Sequence, residues 1–340
     1  MLVEESPSTA LVVTSINPPN QALRSLAAGA TEHGWKFVLA GDSKSPPDFQ
    51  LDGCEFLALA AQRESGFGLA RIAPEKSYTR KNIAYLHALA AGARVIVETD
   101  DDNHPTPTFW IGRKRNVGCR VAQAEGWVNA YRYFTGNFIY PRGLPMIQAR
   151  GSIPAVGTMV EMDCPIQQGL ADQDPDVDAV YRMLFPLPFD FDPDARPVLL
   201  APGAWCPFNS QNTTFFADSF PLMFLPAHCS FRMTDIWRSF VAQRVLHERG
   251  QGILFHGPTV WQERNMHDLD RDFAEELPGY LHNSAMREAL VAVRLSDTRS
   301  TRVMMERCYE TLIRNGWVGQ AEEKLLEAWF CDLEACGCGL

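Results

Sequence analysis

The pattern that most constrains this chain is a repeated unit. A short apolar run stops at a cluster of polar residues, and an amphipathic stretch then leads to the next run. Residues 10–16 are β-branched and aliphatic and are halted by Asn17, Pro18 and Pro19, so they read as a buried strand feeding a turn. Ala22, Leu23, Leu26, Ala27 and Ala30 then recur at helical spacing, and Gly34 supplies a stop before a second run, residues 35–40, which ends at Gly41 and Asp42. The unit returns as a helical stripe of Ile83, Leu86, Leu89 and Ala90, a stop at Gly92, and a third strand over residues 94–97. Strands alternating with helices predict an α/β chain built on a parallel, doubly wound sheet.

Ligands of such sheets bind beyond the carboxyl ends of the strands. Here those ends carry Thr14, Ser15 and Asn17, then Asp42 and Lys44, then Asp100, Asp101, Asp102 and Asn103. Three adjacent carboxylates on a turn repel one another, which a divalent cation would relieve. Mg2+ or Mn2+ takes one or two protein carboxylates and completes its shell with phosphate oxygens and water, as a nucleoside diphosphate would provide. A solvated acidic turn is the competing reading. Arg80 and Lys81 stand at the start of the helix before the acidic strand, where backbone donors and two cations suit a diphosphate. Asp42 and Lys44 are candidates for a base or ribose, with an ordinary loop turn as the competing reading.

Beyond residue 103 the periodicity weakens, and prolines and aromatics accumulate up to about residue 207, the composition of functional loops and the expected place of acceptor recognition. Asn209, Gln211 and Asn212 form a polar run able to read sugar hydroxyls, with a capping loop as the alternative. Asp235 opens a predicted helix over residues 235–247. It is either an N-cap or the carboxylate that accepts a proton from an attacking hydroxyl. A strand is expected over residues 252–255, and two amphipathic helices over 286–303 and 303–333.

Composition narrows the partners. With 46% apolar residues and a formal charge of −10, the chain can bury a full core but has no surplus of cations for a broad nucleic-acid surface. No run approaches the roughly twenty apolar residues of a membrane-spanning helix, and residues 1–9 are acidic and polar, so a cytoplasmic location is expected. Nine widely spaced cysteines read as free thiols, and the tail Cys331, Cys336 and Cys338 lacks the paired spacing and histidine of a zinc site.

The residues so far singled out sit in a longer series: Tyr78, Arg80, Lys81, Asn82, Tyr85 and Leu86; Gly92 to Arg94; Thr99 to Asn103; Tyr140 to Pro145, including Arg142; Gln167 to Gly169; Pro175 to Ala179; Pro207 to Thr213; Thr234 to Arg238; Gln243 and Arg244; Pro258 to Val260. In order and spacing this series resembles the STELLO family of glycosyltransferases, itself distantly similar to the reversibly glycosylated polypeptides that act on UDP-arabinose. The resemblance covers roughly residues 11–260.

It implies a GT-A-type fold, a Rossmann-like mixed sheet flanked by helices, over residues 9–267. Within it, 9–103 would be the nucleotide-binding half and 104–267 the acceptor half, with 268–340 a helical C-terminal appendage. It also implies an Asp-x-Asp metal site at Asp100 and Asp102, with Asp101 beside it at the donor, and Asp235 near the reacting centre. The donor would be a nucleoside-diphosphate sugar, a UDP-sugar first. The acceptor would be a glycan, lipid-linked or protein group, with Arg142 joining Asn209, Gln211 and Asn212 there. Plant members carry a His-Arg pair after Pro-Thr-Val, where this chain has Trp261 and Gln262. Any histidine ligand expected there is absent, with His256 or His267 as substitutes. The alternatives are a nucleotide-sugar mutase and a non-catalytic scaffold assisting a glycan synthase. Oligomeric state is left open.

Overall fold

A computed structural model describes residues 8–263 and 268–340. The chain opens with β1 (Thr9–Thr14), α1 (Gln21–Glu32), β2 (Lys36–Ala40), β3 (Glu55–Leu57), the short helices α2 (Leu59–Glu64) and α3 (Gly68–Ile72), α4 (Lys81–Ala90) and β4 (Val95–Thr99). β5 (Asn103–Pro105), β6 (Asn116–Ala122), β7 (Gly126–Trp127), β8 (Val160–Asp163) and β9 (Ile166–Asp172) follow, then α5 (Ala179–Leu184), β10 (Val198–Leu200), β11 (Ala204–Trp205) and β12 (Asn212–Phe216). The last elements are α6 (Thr234–Glu248), β13 (Ile253–Gln262), α7 (Leu269–Ala292), α8 (Thr301–Arg314) and α9 (Glu322–Ala335).

The main sheet runs β3-β2-β1-β4-β12-β9-β13-β10-β6-β8, and β5 pairs with β13. Its first four strands are parallel, as the alternating pattern predicts. β12 then inserts antiparallel between β4 and β9, so the sheet is mixed, consistent with a GT-A-like fold. The purely parallel sheet drawn from strand-helix alternation therefore holds only for its first four strands. β12 is not preceded by a crossover helix pattern, and its central residues are Thr213 and Thr214.

The early strands are apolar without alternation because both faces are covered. Leu11, Val13, Phe37 and Leu39 face Leu23, Leu26 and Ala30 of α1, whereas Ala10, Val12, Val38 and Ala40 belong to the core that includes Ala84, Leu86 and Leu89 of α4. The second core continues into the C-terminal helices through Trp237, Met286, Leu290, Met304 and Trp329. Residues 268–340 thus share a core with the sheet rather than hanging from it. Asp332 of α9 accepts the backbone N–H groups of Gly68 and Leu69, at 2.9 and 2.8 Å, which caps α3.

Three helices, not two, fill this region. α7 is N-capped by Asp268, whose side chain accepts from Arg271 N, and it runs through Pro278. That proline masks the helical pattern in the sequence. The strand expected over 252–255 extends to Gln262, because residues beyond its bulge between His256 and Val260 still pair with β9 and β5.

Candidate donor and acceptor crevice

The three strand tips meet. Beyond β4, the Asp101 carboxylate accepts from the Ser15 hydroxyl and from Asn17 Nδ2 at 3.0 Å, and its carbonyl accepts from Asn20 Nδ2 at 2.7 Å. The acidic turn is thereby tied to the loop after β1, whose Thr14 lies at the end of the β1–β2 register. Asp42, beyond β2, accepts from Ser77 N at 2.8 Å and joins the same edge to the segment leading into α4. Lys44 is exposed.

Asp100 Oδ1 accepts from Tyr78 Oη at 2.8 Å and lies 3.4 Å from Lys81 Nζ. The Lys81 ammonium is fully buried and also donates to Tyr78 Oη, Thr99 O and Ser210 O at 2.6, 3.0 and 3.3 Å. Arg80 points away from the turn, its guanidinium donating to the carbonyls of Pro74, Ala70 and Ala73 and to Gln62. As placed, Arg80 and Lys81 support the crevice from beneath instead of lining it. The 3-10 turn at Tyr78–Arg80, which precedes α4, aims Arg80 at the α3 segment.

Asp102 Oδ1 accepts from Gln262 Nε2 at 2.9 Å, and Gln262 Oε1 accepts from Gln211 Nε2 at 2.9 Å. The position where the resemblance expects a basic residue therefore touches the second metal-ligand candidate through an amide. His256 stacks no carboxylate: its Nδ1 meets Gly257 O, and burial followed by the charge of Arg113 pushes it down to about 4. His267 lies outside the described residues.

A divalent cation needs only one or two protein carboxylates when phosphate completes its shell. No group of three or more His, Cys, Asp or Glu stands ready for an ion among the described residues. Burial pushes the Asp100 carboxyl above its ordinary value, and the neighbouring carboxylates of Asp235 and Asp101 add to this, against the opposing effects of Lys81 and Tyr78. An added positive charge would relieve that carboxylate, and Asp100 and Asp102 are the residues that would hold a divalent cation here.

The second half of the crevice is a buried relay. Ser210 Oγ lies 2.6 Å from Tyr78 Oη and 3.4 Å from Asp235 Oδ2. Asp235 is clamped by Arg142 at 3.1 and 2.8 Å, and Arg142 holds Asp176 at 2.7 and 2.9 Å. Asn209 Nδ2 donates to Asp176 at 2.9 Å, and its Oδ1 accepts from Gln168 at 3.0 Å. Gly143 makes this possible: its φ of +86° and a β-carbon position 2.5 Å from Ile236 Cγ2 exclude other residues, so the turn after Arg142 can sit against α6.

This environment decides what Asp235 can do. Burial raises its carboxyl, and the charge and hydrogen bonds of Arg142 together with the charges of Arg238 and Arg232 lower it, so that it lies below the ordinary carboxylate value. A carboxylate held below its ordinary value, with both oxygens accepting from Arg142, is a weaker proton acceptor than a free one. It is not an N-cap either, since Met233 occupies that position. The geometry makes it a brace between α6, Ser210 and Arg142. Asn209 and Asn212 are likewise buried and internally bonded, Asn212 Nδ2 to Leu170 O and Thr259 Oγ1, both at 2.9 Å.

Sequence reasoning missed Tyr78, Ser210, Asp176 and Gln262 as members of the network. It also missed the fully buried pair of Glu98 and Arg238, 2.6 Å apart, which locks β4 to α6. The signal for Glu98 was present: a carboxylate inside an all-apolar strand requires a partner.

Residues 232–339 match the family model of the STELLO glycosyltransferases. The chain is 28% identical to the probable glycosyltransferases STELLO2 and STELLO1 of Arabidopsis thaliana, over 353 and 352 residues. Each comparison covers 96% of this chain but only 45% and 44% of the relative, so the chain spans less than half the length of the curated relatives it matches. No helix among the described residues is long and apolar enough to cross a membrane. Matched by the family model over its last third and by these relatives along nearly its whole length, the chain is similar to the STELLO glycosyltransferases.

Proposed function

We propose that this chain transfers a sugar from a nucleoside-diphosphate sugar, a UDP-sugar first, to a glycan or other hydroxyl acceptor, and that Asp100 and Asp102 would hold the Mn2+ or Mg2+ that assists this. The observation that supports it is the convergence of three strand tips on one acidic turn, with Ser15, Asn17 and Asn20 fastening Asp101. Asp101 then positions its neighbours, which present the oxygens. Lys81 keeps a positive charge beneath Asp100 and donates to Tyr78 Oη, which in turn donates to Asp100 and lies 2.6 Å from Ser210 Oγ. When bound, the cation would offset charge developing on the departing diphosphate. Arg142, Asp176 and Asp235 hold the acceptor half against that turn.

Calorimetry with UDP and Mn2+ tests the donor half. Wild-type protein should bind the nucleotide only with the metal, and Asp102→Ala should lose that dependence while keeping its melting temperature. Equal affinity in the variant, or binding unaffected by chelator, would overturn the assignment. Incubation with UDP-sugars alone distinguishes transfer from mutase chemistry, since only a mutase releases an isomerised donor without acceptor.

A further inference from the structure

A groove of about 440 Å3 opens beside the acidic turn. Gln262 is the shared element: it lines the groove and donates to Asp102 Oδ1 at 2.9 Å. Trp261, Leu187 and Pro188 form the apolar part of the lining, and Gln173, Asp174 and Glu263 the rest of the polar part.

Trp261 is 37% exposed, unusual for the largest apolar side chain at a strand end. It is also held still. Strands β5 and β13 place it directly opposite His104, and the two rings stack with centroids 4.0 Å apart and planes 9° from parallel. His104 is buried beneath. One ring face is thus occupied by protein, and the remainder lines the groove.

A rigid indole beside carboxylates and amides matches a particular ligand surface. A sugar ring presents C–H bonds on one face, which meet the electron-rich face of an aromatic ring, and hydroxyls around its rim, which donate to carboxylates and amides. Glu263 has an open side chain, 76% exposed, and Asp174 is held by the Arg182 guanidinium. A polyprenyl chain would require a continuously apolar channel, and four of the seven lining residues are polar.

We propose that this groove is the acceptor subsite and takes a sugar ring of a glycan, stacked on Trp261 with its hydroxyls on Glu263, Asp174 and Gln262. The proposal rests on the reading of Asp100 and Asp102 as the donor end, because Gln262 connects the two. It assigns acceptor selection to the strand end where this chain carries Trp261, and it relieves the buried Asn209 and Asn212 of that task.

The test uses an array of neutral hexose and pentose oligosaccharides probed with the full chain, its strongest binder then being titrated by calorimetry. Trp261→Ala should weaken that oligosaccharide at least about tenfold, as expected for loss of an aromatic stacking surface. Trp261→Phe, which keeps a ring, should stay within about threefold of wild type. UDP–Mn2+ affinity and melting temperature should be unchanged in both. No binder on the array, or equal oligosaccharide affinity in wild type and Trp261→Ala, would overturn the proposal. Binding of a polyprenyl phosphate or peptide that Trp261→Ala weakens, with no oligosaccharide bound, would do the same. If wild-type protein binds the oligosaccharide but not UDP–Mn2+, the donor reading fails while the subsite stands.

Discussion

Arg142 offers the sharpest test of how the crevice is held. It makes four charge-assisted hydrogen bonds to two buried carboxylates, at 2.7 and 2.9 Å to Asp176 and at 3.1 and 2.8 Å to Asp235. Replacing it by methionine keeps the volume and leaves both carboxylates in place without their counter-charge. Removing one partner of a buried ion pair costs about 3–5 kcal/mol. A domain of this kind has a total stability of about 5–15 kcal/mol, so Arg142→Met should be marginal yet measurable.

With an m-value of roughly 3 kcal/mol/M, the urea midpoint should fall by more than about 1 M at pH 7. The penalty should also depend on pH. In the wild type Arg142 opposes burial and holds the Asp235 carboxyl low. Without Arg142, burial, the largest single influence, is opposed only by the charges of Arg238 and Arg232, so in the variant that carboxyl rises from its depressed value to above its unfolded one. Such a group stabilises the fold below the unfolded value and loses that contribution as pH rises through the folded one. The difference between wild type and variant should therefore shrink as pH is lowered from 7 towards 5.

Asp235→Asn completes the case: as a brace it should lose stability, with turnover per folded molecule changing little. A destabilisation by Arg142→Met below about 1 kcal/mol, or one independent of pH, would refute the buried-relay argument. Collapse of turnover in Asp235→Asn at unchanged stability would restore Asp235 as the base.

Two further outcomes follow from groups away from the acidic turn. Arg80→Met leaves the carbonyls of Pro74, Ala70 and Ala73 without their donor and should destabilise by about 2–4 kcal/mol in thermal or urea unfolding, with UDP–Mn2+ affinity of the folded fraction unchanged. A large loss of nucleotide affinity at unchanged stability would return Arg80 to the donor. Glu322 is fully buried and accepts from Ala227 N and His228 N, and burial pushes its carboxyl up to about 7 despite those bonds. Its contribution is therefore complete below the unfolded value of about 4.5 and is lost as pH rises to about 7, weakening folding by about 3 kcal/mol across that window. Glu322→Gln should abolish this part of the pH dependence, and an identical stability profile in the variant would show that the carboxyl titrates normally.

The early strands and the crevice edge were legible because they are local. Leu11 and Val13 need cover on one face and Val12 on the other, so continuous apolarity announced a doubly covered sheet. The polar tips at Ser15, Asn17, Asp42 and Asp100 to Asp102 followed from where such runs stop. The helices after residue 268 were harder, since Pro278 interrupts the periodicity of α7 and the loop around Gly316 and Gly319 divides what reads as one stretch. β12 was invisible as a strand because Thr213 and Thr214 carry no apolar signature.

What the amino-acid order determined by itself is the set of chemical groups at the strand ends: charge, spacing and chain direction place three carboxylates beyond an apolar strand whatever surrounds them. Only the tertiary structure decided what each group is for. Lys81 and Arg80 are adjacent in sequence, yet one lies under Asp100 and the other under the α3 segment. Asp235 stands 93 residues from Arg142, and their contact turns a candidate base into an ion-paired brace. A pKa and a hydrogen-bonding role depend on burial and on partners brought from elsewhere in the chain, and neither is a property of a residue and its near neighbours.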